Sequence, residues 1–283
     1  MIEIRHRETG RVLRTVDADT LVGADLRDDI LDGADLRGMD LSQSWLQEAD
    51  LKGANLNGAI LEGAILIRTH LEGADLQGAV LAGARLSDGS PGSGAVMVGC
   101  DLRRAQIESC DMRYADLHGA NLSGARIQRT DLSDACLQQA DLTHVVIEGS
   151  LLIECILREA DLSDGTFLNT HLNGAKLVRA CLDRAKLGGR DGVPAVLNLA
   201  DMREASLVDA DLRGVSLRDV NLHHANLTRA DLSGALLMGA VLRHADVTDA
   251  DFRDVVLVTA NITFANFSKA KHAEIPAFKQ NVR

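Results

Sequence analysis

Ala49-Asp50-Leu51-Lys52-Gly53-Ala54-Asn55-Leu56-Asn57-Gly58-Ala59-Ile60-Leu61-Glu62-Gly63 states one five-residue unit three times without a break. A large apolar side chain centres each unit, and a small one stands two places before it. The beat extends outward in both directions, as Leu21, Leu26, Leu31 and Leu36 on to Leu86. It resumes at Met97 and continues to Leu187, then runs from Leu197 to Phe267. A helix cannot use this period, because at about 3.6 residues per turn it smears around the axis. Nor can a flat strand, whose side chains alternate every second residue. The spacing fits a chain that turns a corner after each unit, with the centre and the small residue inside and the other three outside.

Four units then close a square coil, so each centre lies over the centre twenty residues on. Successive coils join by backbone hydrogen bonds, and the core becomes four ladders of aliphatic side chains. Ala24, Ala34, Ala49, Ala54 and Ala59 keep the crowded interior free. Gly23, Gly33, Gly38, Gly53, Gly58 and Gly63 fall where a tight corner asks for a positive backbone angle. About twelve coils at a spacing of ~4.8 Å give a rod of roughly 58 Å.

The units Ala24-Asp25-Leu26, Ala34-Asp35-Leu36, Ala54-Asn55-Leu56, Ala120-Asn121-Leu122 and Ala230-Asp231-Leu232 resemble the pentapeptide-repeat family, whose unit reads Ala-(Asp/Asn)-Leu-x-x. The resemblance covers residues 19–270 and implies an all-β fold, a right-handed quadrilateral β-helix. It also implies a non-catalytic protein with a protein partner. Some members of the family bind the topoisomerase DNA gyrase as DNA mimics, inhibiting it or protecting it from poisons in antibiotic resistance.

Residues 1–18 read as a capping hairpin, with Ile2, Ile4, Val12 and Val16 flanking Glu8-Thr9-Gly10. The beat fails after Phe267, and 271–283 read as a C-terminal cap or tail, too short for a long dimerisation helix. Two interruptions break the repeat, at 87–95 and 188–194. Leu86 and Met97 are eleven residues apart, not a multiple of five, so a loop holding Ser90, Pro91 and Gly92 must leave the coil. Leu187 and Leu197 stay in phase, but an intervening unit would bury the guanidinium of Arg190 beside Asp191, so this segment is also expected to bulge. Projecting loops often carry function.

The net charge is −11 and aromatic residues make up 2% of 283, which argues against direct binding of nucleic acid. The charged N-terminus and the lack of a long apolar run predict a cytoplasmic protein without a membrane span. The five cysteines form no metal-type spacing, and Cys100, Cys110 and Cys155 stand at the small-residue position, where a thiol packs as alanine does. No catalytic constellation appears, and neither a cofactor nor a metal site is expected. His223-His224 is the one adjacent pair among nine scattered histidines and a weak candidate for a metal. Asp25, Asp35, Asp50 and Asp75 occupy the outward position before the centre and read as solvated decoration.

Counted onto four faces at twenty residues per coil, acids and bases mix everywhere. Apolar residues instead gather outside: Trp45, Ile65 and Ile67 beside Ile60 and Val80; Val146, Leu151, Ile153 and Ile156; and Leu236, Met238, Val256 and Val258 with Val196 and Leu199. With no second layer to cover them, such patches point to a protein partner or to a homodimer formed through an apolar face. Two functions follow. The first is an interaction scaffold in a bacterial assembly, and the alternative is the gyrase-binding role. Mixed-sign faces and leucine rather than phenylalanine centres favour the first.

Overall fold

Most pentapeptides close on themselves through one turn bond. The small residue's N–H donates to the carbonyl of the preceding centre, Ala54 to Leu51 at 3.0 Å and Ala59 to Leu56 at 2.9 Å. The residue two places after the centre then takes the left-handed conformation, with φ of 59° at Gly53. Non-glycine residues hold the same corner elsewhere, as Glu48 does at φ 60°. Each of these carries strain of about 1 kcal/mol, which the coils on either side must hold in place.

The computed structural model describes residues 1–189 and 192–279, arranged in two units, Met1–Asp141 and Leu142–Arg283. In the first unit, successive coils meet in parallel at residues twenty apart, such as Asp35 with Asn55 and Asn55 with Asp75. Two bonds make each meeting. Leu51 N–H donates to His70 O at 2.7 Å, and His70 N–H donates to Ala49 O at 3.0 Å. Among the named strands, β4 (Gln106–Glu108) pairs in parallel with β5 (Arg126–Gln128). The second unit repeats the arrangement, with β6 (Val146–Glu148) parallel to β7 (Thr166–Leu168). The chain is therefore an all-β solenoid of pentapeptides.

The centres are sealed: Leu26, Leu61, Leu122, Leu177 and Leu232 are all fully buried. Where the interior position is threonine, its hydroxyl bonds backward to the previous coil. Thr69 Oγ1 donates to Leu46 O at 2.7 Å and Thr170 Oγ1 to Ile147 O at 3.2 Å, which satisfies these two buried hydroxyls, whereas the buried Ser44 Oγ has no hydrogen-bond partner among the described residues. At the aromatic centre Phe167 the small residue shrinks to glycine, whereas Phe252 and Phe267 keep Ala250 and Ala265. Gly165 precedes Phe167, and a Cβ on it would stand 2.7 Å from the Phe167 ring.

At the N-terminus β1 (Ile2–His6) and β2 (Val12–Val16) form an antiparallel hairpin. β1 also pairs with β3 (Ala34–Asp35), through Arg5 with Asp35 and His6 with Ala34, and Ile4 is fully buried. The hairpin thus covers an edge that would otherwise offer free backbone groups. Near the other end a 3-10 turn, Ala277–Lys279, brings the Lys279 ammonium onto the carbonyls of Leu257 (2.9 Å) and Ala260.

Both interruptions leave the coil at a corner and return to the same corner. Ala95 N–H donates to Leu86 O at 2.8 Å, and Ala195 N–H to Leu187 O at 2.7 Å, which is the same turn bond that Ala54 makes to Leu51. The meetings confirm the count. His70 meets Val96 and His171 meets Val196, spans of 26 and 25 instead of 20, so six and five residues are excluded.

Buried thiols follow from the same interior position. Burial pushes the thiol of Cys100 up to about 12 and that of Cys110 up to about 11. Neither forms a thiolate near neutrality, so iodoacetamide at pH 7.5 should spare both in the folded protein and label the half-buried Cys136 or Cys181 first. Peptide mass mapping reads the order, and early labelling of Cys100 would refute the assignment.

Candidate interaction surface

The outward residue before each centre carries most of the Asp and Asn, and it has a bond to make. Asp75 Oδ1 accepts the N–H of Gln77 at 2.9 Å, Asp50 that of Lys52 at 3.2 Å, and Asn55 that of Asn57 at 3.1 Å. Asp25 and Asp35 do the same for Arg27 and Arg37, at 3.3 and 3.4 Å. The reading of these carboxylates as solvated decoration is therefore corrected: they bridge the centre as Asx turns and fix the corner that follows.

Many of them also hold an arginine on the same strand. The guanidinium–carboxylate pairs Arg27–Asp25, Arg113–Asp111, Arg203–Asp201 and Arg213–Asp211 close at 2.6–2.7 Å. The Arg27 guanidinium holds the Asp25 carboxyl down to about 2. Other pairs join coils one turn apart, as Arg184–Asp164 and Arg229–Asp209 do, both at 2.6 Å. Exposed pairs of this kind add little to stability. Their effect is to neutralise the acidity locally, so the charge of −11 does not collect into one acidic stripe on these strands.

Between these pairs lie the apolar residues. In the first unit Trp45 meets Ile65 across a bridge and is 43% exposed, while Ile65 and Ile67 are half-buried. Arg27 lies over the indole with its guanidinium 4.6 Å from the ring centroid. The cation that pairs with Asp25 thus roofs one side of the patch. In the second unit Leu236 is 43% exposed, Met238 54%, Val256 69% and Val258 53%. Leu236 meets Ser216 across a bridge. Of the flanking residues, Leu199 is exposed and Val196 half-buried; Leu151 and Ile153 are exposed, with Val146 and Ile156 half-buried.

Ser90, Pro91 and Gly92 are exposed at the tip of the first loop. Below them two buried serines organise the chain. Ser87 and Ser93 hydroxyls meet at 2.8 Å, Ser93 Oγ accepts the N–H of Asp88 at 3.1 Å and donates to Ser90 O at 2.8 Å. Asp88 in turn accepts the N–H of Ser90 at 2.9 Å, and the Ser90 hydroxyl, followed by that N–H, holds its carboxyl down to about 2. The tip is therefore presented by a bonded base. In the second loop Arg190 and Asp191 lie outside the described residues, and their neighbour Val193 is exposed.

One group escaped the sequence reading in part. His223 and His224 are joined by His244 from the next coil, and ligand nitrogens of the three rings all lie within 4.8 Å of one another. His224 stacks on His244 with centroids 4.8 Å apart, and His244 stacks on Phe264 at 4.9 Å. Burial, and then the neighbouring His224 and Arg243 charges, lower the proton affinity of His223 and His244. The signal was present: 244 is 224 plus one coil of twenty.

The model of the Pentapeptide repeats family matches eight times, over residues 21–58, 56–88, 93–124, 100–139, 110–149, 155–189, 195–234 and 235–271. The chain belongs to the pentapeptide-repeat family. Among solved structures it is similar to HetL, a pentapeptide repeat protein involved in heterocyst differentiation regulation from the cyanobacterium Nostoc sp. strain PCC 7120. The identity is 31%, over 74% of this chain and 87% of that one, with a TM-score of 0.44. It is also similar to a trypsin-treated form of QnrB1, a plasmid-mediated fluoroquinolone resistance protein, at 19% identity over 75% of this chain and 86% of that one, with a TM-score of 0.39. No curated protein matches the chain. Among the described residues, no helix is long and apolar enough to cross a membrane.

Proposed function

We propose that this chain is a non-catalytic interaction scaffold whose pentapeptide coils hold apolar patches and a bonded loop tip against a protein partner. The observation that carries it is the exposure of Leu236, Met238, Val256 and Val258 in one stretch of a fold whose centres from Leu21 to Leu257 are buried. Large apolar side chains leave water only where something covers them, and a solenoid has no outer layer of its own. Trp45 with Ile65 and Ile67 is the second contact region, and Ser90-Pro91-Gly92 the third.

The alternative is a topoisomerase partner such as DNA gyrase, for which the charge of −11 and the projecting loop speak. A DNA mimic needs unpaired negative charge in a regular line, and here Arg27, Arg113, Arg203 and Arg213 neutralise their neighbouring carboxylates. We therefore favour the scaffold.

Val256→Asp and Trp45→Ser separate the readings. With the scaffold, either variant keeps its fold but loses affinity, measured by titration calorimetry against the partner identified with the wild-type chain. A homodimer through the Leu236–Val258 stretch would instead show as a fall in sedimentation mass for Val256→Asp. Unchanged binding and unchanged mass in both variants would overturn the patches as contact sites. Inhibition or rescue of purified gyrase in a supercoiling assay would transfer the function to the alternative.

A further inference from the structure

We propose that His223, His224 and His244 form a binding site for a divalent first-row transition ion, with Zn2+ or Ni2+ as the fitting class. Two of the imidazoles are consecutive on one coil and the third comes from the coil that follows, since His224 N–H donates to Arg243 O at 3.1 Å. Their ligand nitrogens lie within 4.8 Å of one another. Zinc with nitrogen ligands at about 2.0–2.1 Å asks for donors a little over 3 Å apart. Rotation of half-exposed rings closes that difference without moving the backbone, whose corner at His224 (φ 59°) and at His244 (φ 59°) is fixed by the coil.

The rings are also free to bind. Three other histidines have an engaged ring nitrogen: His6 Nδ1 accepts the N–H of Glu8 at 3.1 Å, His70 Nδ1 lies 3.2 Å from Glu72, and His272 Nδ1 lies 2.8 Å from Asp251. The nitrogens of the three clustered rings have no such partner among the described residues and lie within 4.8 Å of one another, and the parallel stack of His224 on His244 must open for both rings to point at one ion. Imidazole is a borderline donor and selects zinc, nickel, copper or cobalt over calcium and magnesium. Arg203 and Arg243 nearby oppose a cation, and Glu204, one coil before His224, favours it. The Glu204 carboxylate is held by Arg179 at 2.8 Å, so the set supplies three neutral ligands and leaves the remaining positions to water. An ion held there ties two successive coils together outside the backbone ladder.

The test uses the full-length chain without a histidine tag, stripped with a chelator. Titration calorimetry should show one Zn2+ per chain, and Co2+ should give the visible absorption of a nitrogen-ligated site. His244→Gln and His224→Gln, both outward substitutions that leave the fold intact, should each weaken Zn2+ binding at least about tenfold. His118→Gln, on the first unit, should leave it unchanged. Zn2+ should raise the melting temperature of the wild type and not of His244→Gln. Absence of saturable binding would overturn the site, and so would equal affinity in wild type, His224→Gln and His244→Gln.

Discussion

Leu61→Ala should lower the stability of the protein by about 2–5 kcal/mol, the cost of a cavity in a core that cannot collapse around it. Leu61 is fully buried, as are Leu41 and Leu81, the centres one coil to either side. Leu41 N–H is bound to Ile60 O at 2.8 Å and Leu61 N–H to Val80 O at 2.7 Å. These bonds hold the coils at ladder spacing whether or not the space between them is filled, so the wall around a missing isobutyl group has nowhere to move. Against a typical total of about 5–15 kcal/mol, the loss is a large fraction. Leu199→Ala provides the contrast, since Leu199 is 66% exposed and its removal should cost well under about 1 kcal/mol. Urea unfolding followed through the single tryptophan and through circular dichroism reads both. Equal costs for the two leucines would show that the centres do not carry the core.

Gly94→Ala should be nearly as damaging, at about 3 kcal/mol, although it adds only one methyl group. The Cβ would stand 2.1 Å from Tyr114 O and 2.3 Å from Tyr114 C, and both are backbone atoms of the next coil. A flexible side chain could swing aside, but this corner cannot, because Tyr114 N–H is bound to Ser133 O at 3.2 Å and Ala115 N–H to Met112 O at 3.1 Å. Gly92, two residues earlier, has no atom within 4 Å of such a Cβ, and its φ of +79° is the sole obstacle. Gly92→Ala should therefore cost only about 1 kcal/mol. Comparable urea midpoints for the two variants would mean that the loop does not return to the coil against Tyr114.

What could be read beforehand divides along physical lines. The centres at Leu51, Leu56 and Leu61 announced the coil because burial acts on every fifth side chain alike, and nothing else yields that period. The bond made by Asp75 to the N–H of Gln77 was hidden, because an outward carboxylate looks the same in sequence whether it meets water or its own backbone. The number of residues excluded between Leu86 and Ala95 was hidden too, since phase limits the excess to one residue beyond a multiple of five and does not say where the neck closes.

Among the candidate surface residues, counting by twenty placed Trp45 beneath Ile65. It did not place Arg27 over the indole, which is a diagonal neighbour that depends on how a long side chain folds back toward Asp25. His244 was within reach of the same counting, and Phe264 above it likewise. Neither stood out, because a single histidine or phenylalanine twenty residues away carries no local pattern.

The bond from Ala95 to Leu86, and its counterpart from Ala195 to Leu187, has a practical corollary. The excursion is also held where it re-enters, by Arg68 N–H on Ser93 O at 3.1 Å and by the close pass of Gly94 over Tyr114, so the exposed tip Ser90-Pro91-Gly92 acts as a splice point where donor polypeptide can be grafted. Such a grafted epitope would be displayed with both its ends pinned, while the windings before and after it stay in step.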